Sequence, residues 1–224
     1  MKPIQQNVNG LLAAGALGFL GLVGGCSSAS PTFYQLTPLN PPTVPAVAPE
    51  QAVEVHNTIL APSLERDVMV MSLAFPQVHV DESAAWSAPP GILVTDTMAA
   101  DLQRTFPRAV VFTQNAAVAV PPQAFVDLTL TRFDRNAAGQ AIIEGVLSVK
   151  RAGWGAEPTC ASTIDWLSPA AIPNTPGDLA AALSVGVEAV SQRAALMLET
   201  LDQCPTPADP LAMPVTTPPK VNAY

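Results

Sequence analysis

Val126, Leu128 and Leu130 alternate with Asp127, Thr129 and Thr131, the two-residue period of a strand with one dry and one wet face. Turn-forming residues follow over 134–139. A return strand is predicted over 141–150, with Ile143, Leu147 and Val149 in phase and Glu144 and Ser148 opposite. Gly145 inside that strand predicts a bulge or a close approach of backbone. Residues 159–167 read as a further strand. Upstream, the aromatic and β-branched content of 32–37 predicts a short strand. Val53, Val55 and Ile59 share one face of another, interrupted by the polar Asn57. The apolar run 67–75 predicts a central or doubly covered strand. Val78 to Val80 supply only a short irregular piece, and residues 109–112 a short strand.

The period changes over 92–106. Ile92, Thr95, Ala99, Leu102 and Phe106 recur at three- and four-residue steps, which predicts an amphipathic helix stopped by Pro107. A longer helix is predicted after Thr175, which with Pro176 and Asp178 forms a near capping box. Its stripe is Leu179, Leu183, Gly186, Val190, Ala194, Met197 and Leu201, with Glu188, Gln192 and Glu199 facing away. The order of elements is strand, strand, helix, strand, hairpin, strand, helix. That predicts an α+β fold, a two-layer sandwich with an antiparallel or mixed sheet and two main helices packed on one face.

The N-terminus has a different character. Residues 11–23 form an unbroken apolar run of thirteen, the length of an export signal and short of the roughly 20 residues a membrane span needs. It ends in Val23-Gly24-Gly25-Cys26, the pattern of a bacterial lipobox. Small side chains admit the peptide to a narrow peptidase site, and the Cys26 thiol takes the diacylglyceryl group. Cleavage would remove residues 1–25 and leave Cys26 lipidated. Several acyl chains, at about 0.8 kcal/mol per buried methylene, hold a protein to a bilayer stably. Ser27 in place of an Asp favours the outer membrane. Half of the 24 prolines lie in two stretches. Residues 26–50 read as a lipidated start, a short strand and a Pro-rich spacer. Residues 205–224 carry six prolines and no periodicity, the pattern of a disordered tail. Residues 51–204 are left as one domain.

With 49% apolar and 12% charged residues the chain can fill a core. Its formal charge of -8 gives no long-range attraction to phosphate backbones, which excludes nucleic-acid binding. In an oxidising compartment the two remaining cysteines, Cys160 and Cys204, are natural disulfide partners. The alternative is two inert thiols.

Catalytic signals are sparse. The sequence has no phosphate loop, HExxH, G-x-S-x-G or CxxC pattern, and no cofactor or nucleotide is indicated. His79 and Asp81, with Glu82 next, offer too little for a metal site. Asp127 and Glu144 as facing carboxylates of a glycosidase are better read as acids on wet strand faces. A serine hydrolase needs His56 or His79 in a cleft beside Ser or Asp. Trp86 and Trp154 lie in Pro/Gly-rich stretches expected to be loops, as core plugs or as interface anchors.

Taken in order, these features resemble a known family. They are the lipobox at Cys26, Phe33-Tyr34-Gln35-Leu36, Leu64-Glu65-Arg66-Asp67, Trp86-Ser87-Ala88-Pro89, the strand from Phe125 to Asp134, and the helix after Pro176. The chain resembles the PqiC or YmbA-like family, the auxiliary lipoproteins of bacterial envelope lipid-transport systems. It departs from that pattern at Asp67, where the family tends to have Pro, and at Pro90, where it has Leu. The resemblance implies a non-enzymatic subunit, lipid-anchored at the periplasmic face of the outer membrane. Its implied partner is the periplasmic tunnel protein with mammalian-cell-entry (MCE) domains of an ABC-type lipid transporter. Cys26 is the implied anchor, and Tyr34, Leu64 and Trp86 are candidate contact or structural positions. The alternative is a stand-alone structural or assembly lipoprotein of the envelope.

Overall fold

A computed structural model describes residues 30–39, 52–74, 77–114, 116–118, 120–153 and 157–204. Cys26, the signal segment, residues 40–50, Trp154 and the tail over 205–224 lie outside the described residues. In chain order the elements are β1 (Thr32–Tyr34), β2 (Ala52–Val55), β3 (Ile59–Leu60), β4 (Val68–Ala74), β5 (Gln77–Trp86), α1 (Pro90–Thr105), β6 (Val110–Thr113), β7 (Ala124–Arg135), β8 (Ala141–Arg151), β9 (Thr159–Leu167) and α2 (Pro176–Glu199), followed by a 3-10 turn over Leu201–Gln203.

Strand β7 is the hub. One edge pairs antiparallel with β8 along its whole length, and β8 pairs antiparallel with β9. Three parallel strands share its other edge: β2 beside Ala124–Val126, β3 beside Thr129–Leu130, and β4 at Ser72 beside Arg135. The sheet therefore forks. Past β2 lies β6, parallel; past β4 lie β5, antiparallel, and then β1, parallel to β5. The result is the expected α+β sandwich, an open mixed sheet with both helices on one face.

Burial follows the predicted alternation. Val126, Leu128 and Leu130 of β7 and Ile143, Leu147 and Val149 of β8 are buried. Against them α1 sets Val94, Met98 and Leu102, and α2 sets Leu179, Leu183, Val190, Ala194 and Leu198. Each fully buried large aliphatic side chain contributes about 1.5–3 kcal/mol, so these two facing stripes hold the layers together. The α2 stripe is the one read from sequence, and its cap forms as expected: the Thr175 hydroxyl oxygen accepts from the Asp178 N–H at 3.2 Å. Gly186 lets α2 settle on the sheet, because a Cβ there would lie 2.5 Å from Ile143 Cδ1 and 2.7 Å from Trp166 Cε3.

Three segments differ from the pattern-based expectation. The strand read over 53–59 is broken at His56-Asn57-Thr58, where the Thr58 N–H donates to Thr95 Oγ1 at 2.8 Å and the start of α1 abuts the backbone. The short piece at 78–80 is part of the ten-residue β5. Its outer half is exposed and its pairing with β4 shifts register twice, so no alternation appears in the sequence. Trp86, expected in a loop, closes β5 with its backbone N–H donating to Asp67 O at 2.8 Å.

The hairpin carries the bulge that Gly145 announces. Register shifts between Leu130 and Arg132, opposite Gly145. After the shift Asp134, expected in the turn, is a fully buried strand residue whose carboxylate takes two bonds from Arg132 at 2.7 and 2.9 Å. The turn begins two residues later, closed by Asn136 and Gln140 with Gly139 at φ +83°. A Cβ at 145 would stand 2.1 Å from Thr129 O, a backbone atom that cannot step aside. Gly145→Ala is expected to lower stability by about 1–3 kcal/mol, read as a lower urea midpoint at unchanged slope.

Candidate functional site

Strand β1 and the residues after it do more than precede the domain. Strand β1 pairs Thr32 with Ala84, Phe33 with Ala85 and Tyr34 with Trp86, and Ser87 N–H donates to Tyr34 O at 2.7 Å. Tyr34 is half-buried, its ring edge 3.6 Å from a Cβ position at Gly177 beside the start of α2. Leu36 is buried in the core. The chain then crosses the helix pair. Thr37 N–H donates to Ser184 Oγ of α2 at 3.1 Å. Leu39 N–H donates to Asp101 Oδ1 of α1 at 3.2 Å, and Arg104 Nη1 donates to Leu39 O at 2.8 Å. Residues 36–39 are thus a strap pinned to both helices.

Asp101 is the unusual member. It is only 6% exposed, and its Oδ2 has no hydrogen-bond partner among the described residues. Burial pushes its carboxyl up to about 6, and nearby Glu188 adds to the rise. The Leu39 N–H, Arg104 and Ser191 pull the other way. Periodicity could not reveal this group, because an Asp on a helix reads as part of the wet face.

The other sequence-predicted positions fall as follows. Leu64 is buried, in a turn closed by its N–H to Ala61 O at 2.8 Å. Trp86 is buried with its ring 6.1 Å from that of Phe133. Both belong to the core, and the half-buried Tyr34 packs against it. Cys160 on β9 and Cys204 after the 3-10 turn come together with Cα atoms 5.3 Å apart, inside the range a disulfide requires.

The predicted chemistry groups do not form the arrangements weighed for them. Asp127 stands opposite Ser148, and Glu144 opposite Arg132, so the two acids do not face one another. Instead Asp127 joins a cluster that spacing did not show. His56 Nδ1 lies 2.6 Å from Asp127 Oδ1, His56 Nε2 lies 3.8 Å from Glu54 Oε1, and Lys150 Nζ lies 3.1 Å from Asp127 Oδ2. The Phe125 ring stacks beside His56 at 4.9 Å, with Lys150 above it at 5.4 Å. The only available sign was the shared phase of Glu54 and His56. Both imidazole nitrogens face carboxylates, and among the described residues no serine hydroxyl bonds to either. His79 is exposed on β5, and the neighbouring Asp81 carboxylate is taken by the Ser83 hydroxyl at 2.6 Å and N–H at 2.9 Å, which holds it below the usual range. Among the described residues no three His, Cys, Asp or Glu side chains are placed to hold a metal. A small open groove of about 260 Å³ runs between β9 and α2, lined by Ser162, Ile164, Trp166, Val190 and Arg193. Arg193 reaches across it to Ser162 Oγ at 3.3 Å. No described helix is long and apolar enough to cross a membrane.

The family model for the ABC-type transport auxiliary lipoprotein component matches residues 34–195. The chain belongs to this family. The matched stretch of this auxiliary lipoprotein opens at Tyr34, the last residue of β1, and closes at Ala195 near the end of α2. It therefore takes in the strap, the forked sheet and both helices. Two crystal structures share the fold. One, described as an uncharacterized protein, has 15% identity and a TM-score of 0.58, covering 76% of this chain and 99% of its own. The other, a protein from Xanthomonas campestris, has 16% identity and a TM-score of 0.56, covering 77% of this chain and 98% of its own. No curated protein matches the chain at a significant level.

Asp101 gives the auxiliary lipoprotein a pH signature. An unfolded Asp titrates near about 3.9, below the value of about 6 in the folded protein. The folded state thus holds the proton more tightly, and the resulting stabilisation is complete below about pH 4 and lost as pH rises through 6. Asp101→Asn keeps an acceptor for Leu39 N–H and removes the titration. Across that window the wild type is expected to lose on the order of 2 kcal/mol relative to the variant, measured by urea unfolding at a series of pH values. Parallel profiles contradict this reading.

Proposed function

We propose that this protein is a non-enzymatic docking subunit of an envelope lipid transporter. It is held by acyl chains on Cys26 to the periplasmic face of the outer membrane, and it receives or braces the tunnel of an MCE-domain partner. The observation that carries the reading is the family match over nearly the whole folded unit. The physics agrees with it. Helices and sheet close on a filled core, and the groove between β9 and α2, at about 260 Å³, is too small to enclose a lipid. A body of this kind contributes position and surface, and its partners supply the energy. The Cys160–Cys204 bridge is part of the proposal. It would close a 44-residue separation and stabilise the link between α2 and the sheet edge by about 3–4 kcal/mol.

The test is a mild cross-link in intact cells, followed by pull-down and mass spectrometry, with Cys26→Ala as control. An MCE-domain tunnel protein recovered with the lipidated form alone is the expected result. Recovery of another envelope complex, or of nothing, contradicts it and favours a stand-alone lipoprotein. The same sample run without reductant reads the bridge, as a mass two hydrogens below that of the dithiol.

A further inference from the structure

We infer that the β1 edge of the sheet lies against the lipid surface, with Phe33 inserted among the headgroups; this rests on the anchor at Cys26 proposed above. The first support is reach. Only five residues, Ser27 to Pro31, separate Cys26 from the first residue of β1. Fully extended, that connection spans at most about 20 Å. Strand β1 is no loose leader: it is paired to β5, and the strap after it is pinned to α1 and α2. The folded body therefore begins at the end of this short link, and residues 40–50 come after the strap and cannot lengthen it.

The second support is the side chain found there. Phe33 is 65% exposed, the most exposed large apolar side chain among the described residues. It sits on the edge strand, beside Ala85. Its neighbours in sequence divide the labour: Tyr34 is half-buried and Leu36 fully so, while Phe33 turns outward. An aromatic ring held on a rigid edge near the surface of a bilayer partitions into the interfacial region. Coulomb attraction contributes nothing. The chain is acidic at -8, and the β5 residues near this edge include Asp81 and Glu82. Contact must come from apolar insertion, and so be insensitive to salt.

The experiment uses the full lipidated chain in vesicles of phosphatidylcholine and phosphatidylethanolamine, part of the phosphatidylcholine carrying brominated acyl chains. Phe33→Trp adds a reporter at the edge. Val146→Trp adds one at an exposed position on β8 (50%), four strand spacings or about 19 Å from β1 along the sheet. Emission of the parent, with its three tryptophans, is subtracted from each. The added emission at position 33 is expected to shift to the blue and be quenched by the brominated lipid, with no change on raising salt, while that at 146 is unaffected. A parent that floats with the vesicles but leaves the reporter at 33 unquenched overturns the edge contact and leaves the anchor standing. Equal quenching at both sites overturns the edge-on placement. A parent that does not float overturns anchor and edge contact together.

Discussion

Everything in this domain is arranged around the two edges of one strand. The twelve residues of β7 pair with β8 on one side, and with β2, β3 and β4 in succession on the other. Buried backbone polar groups must be bonded, and a strand with both edges occupied meets that requirement along its length. Its dry face then presents Val126, Leu128 and Leu130 to the helices. The bulge opposite Gly145 is what lets the strand continue past the fork. It changes the phase of β7, brings Asp134 under cover and makes the Arg132 pair necessary. A lone buried carboxylate would cost several kcal/mol, so bulge, glycine and ion pair form one unit.

The second layer is fixed by the N-terminal strap as well as by hydrophobic stripes. Thr37 and Leu39 bond to α2 and α1 respectively, so the segment that follows β1 also ties the two helices together. Asp101 performs this task from a buried position and with one oxygen unpartnered among the described residues. Under the proposed lipidation of Cys26, the strap would link envelope attachment to domain packing.

Regular alternation and helical stripes were legible in the sequence, because burial on one face writes itself into residue type. The β7–β8 hairpin, β9, the α2 stripe with its Thr175 cap, and the Gly145 irregularity all carried that signal. The segments that escaped it share a physical cause. Strand β5 is exposed over its outer half, the 53–59 run is broken by contact with the start of α1, and Asp134 changes role because of a bulge three residues earlier. The Glu54–His56–Asp127–Lys150 cluster depends on a parallel pairing of strands about seventy residues apart in the chain, which no local pattern encodes. Of the candidate positions, Tyr34, Leu64 and Trp86 came from the family resemblance, and the fold places Leu64 and Trp86 in the core with Tyr34 half-buried against it. Family membership, by contrast, was visible in the order of weak motifs.

The proposed role joins a lipid at one end of a short link to a rigid body that works through its surface. Its central claim is that the mature chain begins at a lipidated Cys26. The most direct test is mass spectrometry of the N-terminal peptide of protein taken from its native membrane. The account predicts a peptide starting at Cys26 with diacylglyceryl on the sulfur and a third acyl chain on the amine. A mature chain that begins elsewhere, or a Cys26 without lipid, would contradict it.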